Sequence, residues 1–191
     1  LGQWQDSVRD LDAALVAESL TGKGRATVEL RRAVIWRDHL RDDHQAEQAL
    51  LKCIAADPES RHGHENLIDF YERRTNYERL SQTYKNAVEQ CKDRELVNQW
   101  YSRLAEVQAR SLGRIEEAIQ SLDASLEECH DPIPSQKLKV RLLRRSARPE
   151  ALAEALHDLR INLAPHPEQI ADCLHEEALV RAFELRETEK A

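Results

Sequence analysis

The feature that most constrains the fold of this chain is a recurring interval. Ala46-x-x-x-Leu50 followed by Asp57-Pro58 has counterparts at Leu80-x-x-x-Tyr84, at Ala118-x-x-x-Leu122 with Asp131-Pro132, and at Leu152-x-x-x-Leu156 with Pro165. The spacings between their first residues are 34, 38 and 34 residues. An apolar helical pattern with a period of this size specifies stacked helical hairpins, because one hairpin cannot bury both of its apolar faces. A second spacing supports the register: Leu40 and Leu112, and likewise Ala46 and Ala118, are 72 residues apart, and Trp4 and Tyr77 are 73 apart.

Taken in order, the apolar residues place helices as follows. The first runs from Gly2 to about Ser19, with Trp4, Val8, Leu11 and Leu15 on one side. Thr21-Gly22-Lys23-Gly24 reads as a turn, since two close glycines disfavour helix. Four hairpins follow, at 25–40 with 42–60, around Leu67 to Tyr71 with Tyr77 to Val88, at 95–112 with 114–129, and at 136–147 with 149–163. A last helix spans 168–186. Asn76 is the expected cap of its helix and Gly113 the expected corner of the third hairpin. First helices of hairpins one and three carry a four-residue excess, read as one extra turn. The expected fold class is therefore all-α, in one repeat domain over residues 1–191 with half-repeats at both ends.

Composition fits this reading, with 41% hydrophobic and 33% charged residues and only 5 Gly and 6 Pro. A net charge of −7 gives no general attraction to nucleic acid or anionic membrane. No apolar run is long enough to span a bilayer. Cys53, Cys91 and Cys129 fall late in successive second helices and read as buried free thiols of a reducing, cytoplasmic compartment. The chain contains no Met and begins within the repeat pattern, so it reads as a piece of a longer protein.

The spacing Ala33-x-x-Trp36, Ile68-x-x-Tyr71 and Ala105-x-x-Gln108, each followed by the small or apolar residue plus four and then a closing proline, resembles the tetratricopeptide-repeat (TPR) family. It also fits related helical repeats such as half-a-TPR. Leu80 stands where Ala is usual, Gln108 where an aromatic is usual, and the second repeat ends in Lys92-Asp93 without proline. The resemblance implies antiparallel hairpins in a right-handed superhelix (an α-solenoid) whose first helices line a groove for a peptide or partner helix. By position, the groove residues it implies are Arg31, Val34 and Arg37, then Glu65, Asn66, Asp69 and Glu72, then Ser102, Glu106 and Arg110, and finally Lys137, Arg141 and Arg144. The family's carboxylate-clamp set is not assembled in this sequence.

Charge adds one local feature. Between Pro132 and Pro165 stand seven basic and three acidic residues, in a chain that is acidic overall. Lys137, Arg141, Arg144 or Arg145, and Arg148 recur every three or four residues and are expected on one helix face. That face is either ordinary solvated surface or a site for an acidic peptide, phosphate or nucleic acid, with nucleic acid the weaker reading. His62-Gly63-His64-Glu65 and Cys173-x-His175-Glu176 resemble metal clusters but supply no four-ligand set, so no metal or cofactor is expected. Nucleophile-elbow, phosphate-loop and dinucleotide glycine patterns are missing from the sequence. The expected function is a non-catalytic protein-interaction scaffold whose partner is a protein or peptide, with self-association as a further option. The alternative is a regulatory or substrate-recruiting segment of a larger enzyme.

Overall fold

The computed structural model describes residues 2–16, 20–128, 131–163 and 167–184. Ser19 and Arg186, the expected ends of the first and last helices, lie outside the described residues, as do Cys129 and Pro165. Among the described residues there are ten α-helices and no strand. The chain divides into two compact units, Leu1–Asp93 and Arg94–Ala191.

The first unit holds α1 (Gly2–Val16), α2 (Gly22–Val34) continued by a π-helical turn (Ile35–Leu40), α3 (Asp43–Ala56), α4 (Arg61–Arg73) and α5 (Tyr77–Gln90). Helix α2 packs on α3 and α4 on α5, while α1 covers α2 and α3 covers α4. The second unit holds α6 (Arg94–Arg110), α7 (Ile115–Glu128), α8 (Ile133–Leu143), α9 (Pro149–Asn162) and α10 (Pro167–Leu179), the last continued by a π-helical turn (Val180–Glu184). Here α6 pairs with α7 and α8 with α9, α7 packs on α8, and α10 packs on α9. Each unit thus contains two complete hairpins and one additional helix.

Short polar side chains start α2, α3, α4 and α5. Thr21, Asp42, Ser60 and Asn76 are N-caps whose side chains accept from the backbone N–H three residues on, at 3.2, 3.0, 3.2 and 3.3 Å. In the second unit Pro149 opens α9, where a missing N–H costs nothing. The hairpin corners share one conformation. Arg41, Thr75, Gly113 and Ala147 have φ of 58°, 51°, 69° and 51°. They recur at the 34, 38 and 34 residue intervals of the helical pattern.

The alanines at 33, 46, 105 and 118 are buried, which lets the helix backbones approach closely. Phe70, Leu50 and Leu80 in the first unit, and Leu104, Leu122, Leu143, Leu156 and Leu163 in the second, are among the fully buried large side chains. Each contributes about 1.5–3 kcal/mol through loss of water contact. Tyr71, Tyr84 and Trp100 occupy packing positions, as expected, and Trp36 is half-buried.

Several expected boundaries are corrected. Gly22-Lys23-Gly24 is no free turn but the first turn of α2, capped by Thr21. A glycine is needed there because a Cβ on Gly22 would lie 2.7 Å from the Ala56 carbonyl oxygen. The first helix of the opening hairpin is not α-helical throughout, since its last six residues form the π-helical turn. That turn brings His39 onto Trp4 of α1, the rings stacked at 3.6 Å. Helix α6 ends two residues before Leu112, and α8 runs from Ile133 to Leu143 rather than over 136–147. First helices one and three are indeed the longer, with 13 plus 6 and 17 residues against 13 and 11. Cys91 lies just beyond α5 as its C-cap and is half-buried.

Candidate interaction surfaces

In the first unit the expected groove residues meet around Arg37. Its guanidinium donates to Asp38 at 2.8 Å, to Asn66 at 3.3 Å and to Asp69 at 3.5 Å, so the π-helical turn is tied to α4. The hydrogen bond with Arg37 holds the Asp38 carboxyl below its usual range and raises the guanidinium in turn. Asp69 also accepts from Arg73 at 2.8 Å. One turn earlier, Glu65 takes Arg61 at 2.7 Å and His62 at 3.2 Å. Glu72 does not join this group, because it accepts from the Tyr84 hydroxyl of α5 at 3.2 Å. Arg31 is exposed and apart from it.

In the second unit the expected basic face is rearranged. Helix α8 stops at Leu143, so Arg144 is its C-cap, Arg145 lies in the following turn and Arg148 caps α9. These residues therefore do not share one helix face, and most are neutralised locally. Arg144 forms a two-pronged pair with Glu176 of α10, with Nε 2.5 Å from Oε1. Arg148 meets Glu116 at 2.7 Å, Lys139 meets Asp123 at 2.6 Å, and Arg141 lies 4.0 Å from Glu106 of α6. Lys137 donates to the neutral amide of Gln169 at 2.8 Å. Arg110 and Arg145 are exposed. Paired cations make a poor polyanion track, since each phosphate contact would first have to displace a carboxylate.

Two clefts lie along the seam between α8 and α10. The larger, about 490 Å³, has Lys137, Arg141 and Arg144 on one wall, Gln169 and Asp172 on the other, and Leu138, Leu159, Leu163 and Cys173 beneath. The smaller, about 390 Å³, is lined by Leu143, Leu152, Leu179, Val180 and Phe183. Arg144 borders both. Burial pushes the Cys173 thiol above its usual range, which keeps it a neutral, apolar part of the floor.

The sequence pattern does not mark Gln169 as a site residue and places Glu176 only within a metal-like cluster. A signal for both exists in the sequence. Arg37 with Asp69, Lys137 with Gln169, and Arg144 with Glu176 are each 32 residues apart, which is the offset between facing positions of neighbouring first helices. Helical periodicity also carries no mark of the buried polar pairs, among them the Ser121 hydroxyl donating to Gln108 at 2.8 Å and Ser125 beside Ser135 at 3.0 Å. The two metal-like clusters separate: His64 is buried with Nε2 2.8 Å from the Pro58 carbonyl, and His175 is exposed while Cys173 is buried. Among the described residues no group of three or more His, Cys, Asp and Glu is placed to hold a metal ion, and no helix is long and apolar enough to cross a membrane.

No family model and no curated protein matches the chain. Solved structures do. A chain in the structure of Naa15/Naa10 bound to HypK-THB aligns with a TM-score of 0.52 at 20% identity, over 90% of this chain and 26% of that one. MamA aligns with a TM-score of 0.49 at 14% identity, over 93% of this chain and 92% of its own. YrrB, described as a TPR protein with an unusual peptide-binding site, aligns with a TM-score of 0.47 at 11% identity, over 94% and 96%. At such identities the likeness is one of fold, and the fold is a TPR-like array of antiparallel helical hairpins.

Proposed function

We propose that the chain is a non-catalytic protein-interaction scaffold that binds a peptide or partner helix on the exposed surfaces of its first helices. The contact residues are centred on Arg37, Asn66 and Asp69 in the first unit and on Lys137, Arg141 and Arg144 in the second. The observation that carries this reading is the α8–α10 seam, where an apolar floor lies open between polar walls. A floor of leucines takes the apolar side chains of an incoming segment, and walls of charged side chains set its register. The walls are already held by contacts between helices, at Lys137 to Gln169 and Arg144 to Glu176. Side chains ordered before binding lose little entropy on binding, so the partner alone bears that cost.

A photo-crosslinking residue at Gln169, on the seam, tests this reading against the same residue at Glu154, an exposed position on α9. Crosslinking in native lysate, followed by mass spectrometry and reconstitution with the purified product, is expected to yield a protein from the Gln169 position alone. Equal products from both positions, or none from either, would reject the seam as the binding surface.

A further inference from the structure

We propose that the α8–α10 seam takes an amphipathic helix of a separate protein, with two aliphatic side chains seven residues apart on its apolar stripe, one acidic edge toward α8 and one basic edge toward α10. This rests on the scaffold reading above and adds the partner's chemistry.

The spacing comes from the two clefts. Cys173 marks the floor of the larger and Val180 that of the smaller, and both are buried. They are seven residues apart, from α10 to the first residue of the π-helical turn that continues it, which at the helical rise corresponds to about 10 Å. In a helical occupant lying along the seam, side chains i and i+7 are also about 10 Å apart and share a face. Two aliphatic side chains at that spacing therefore enter the two clefts together. Phe183, 75% exposed at the rim of the smaller cleft, is left for the second of them to cover.

The edges come from charge. The walls of the larger cleft have opposite sign, with Lys137 and Arg141 on α8 and Asp172 on α10. Among the described residues Lys137 has only the neutral Gln169 as a polar partner, and Asp172, on the other wall of the same cleft, has no salt bridge. The two charges line one cleft without closing on each other. A helix between them satisfies both only if its α8-facing edge is acidic and its α10-facing edge basic. Arg144, which borders both clefts, is already paired with Glu176 of the smaller one, and the pair marks the midpoint.

The test uses the whole chain and three labelled, lactam-bridged helical peptides with leucine at i and i+7. Their flanking edges carry glutamate on one side and lysine on the other, glutamate on both, or lysine on both. This design does not depend on which way the helix runs. Fluorescence anisotropy is expected to show the mixed-edge peptide binding about tenfold more tightly than either uniform one. Lys137→Glu is expected to move the preference to the all-lysine peptide, and Asp172→Lys to the all-glutamate peptide. Both positions are exposed, so circular dichroism is expected to show unchanged helicity and melting in both variants.

Equal binding of all three peptides would overturn the partner's chemistry while leaving the scaffold reading to the crosslinking result. Retention of the wild-type order by both variants, or no binding of any peptide, would overturn it as well. Concentration-dependent dimerisation that Lys137→Glu abolishes would make the occupant a second copy and reject a separate partner.

Discussion

Gly113 and Ala147 occupy the same corner of consecutive hairpins in the second unit, 34 residues apart, both in the left-handed region at φ 69° and 51°. Only the glycine is free of a Cβ clash in that conformation. Gly113→Ala is expected to destabilise the chain by about 1 kcal/mol even though nothing lies within 4 Å of the added carbon. Ala147→Gly is expected to stabilise it by about 0.5–1 kcal/mol. Urea unfolding of the two variants checks the opposite signs.

Gly22 presents the reverse case, in which space decides rather than backbone angle. Alanine favours a helix over glycine by about 1 kcal/mol, so Gly22→Ala would help an isolated helix. Here the new carbon would meet the Ala56 backbone oxygen at 2.7 Å, and backbone cannot move aside as a side chain can. The expected net effect is a loss of about 1–2 kcal/mol. Gly2→Ala, with nothing within 4 Å, is the control and is expected to be neutral or stabilising. Thermal melts of the pair separate the two contributions.

His64 couples the first unit to pH. Burial, opposed by the hydrogen bond to the Pro58 carbonyl, holds its imidazole below the ordinary value of 6.5. Between the lowered folded value and 6.5 the unfolded chain binds the proton and the folded chain does not. Stability therefore falls as the pH is lowered through and below 6.5. His64→Gln has no proton to take up at this site, so its stability is expected to fall less than that of the wild type between pH 7 and 5.5. Denaturant midpoints across that range test the difference; parallel curves would refute it.

Gln108 and Ser121 form a buried pair in the second unit, and each depends on the other. Ser121→Ala removes the donor to the Gln108 oxygen at 2.8 Å and is expected to cost about 1–3 kcal/mol, because a buried acceptor is left unpaired. Adding Gln108→Leu removes that acceptor, and the double variant is expected to recover most of the loss. A double-mutant cycle measures the coupling.

What the sequence by itself determined was the all-α class, the hairpin register and the identity of the core. The 34 and 38 residue intervals, the buried alanines at 33, 46, 105 and 118, and the Asn76 cap all follow from local periodicity and cap chemistry, which act within a few residues. The tertiary structure decided where each side chain on the surface turned. Glu72 bonded to Tyr84 rather than joining Asp69, and the apparent basic face from Lys137 to Arg148 was interrupted when α8 ended at Leu143. Arg144 then met Glu176 across the seam. Such outcomes depend on which charges neighbouring helices bring within a few ångströms, and one helix's periodicity carries no record of its neighbour's rotation. The glycine at 22 shows the same division: its sequence context signalled a break, but only the approach of Ala56 revealed that the chain needs a missing side chain there.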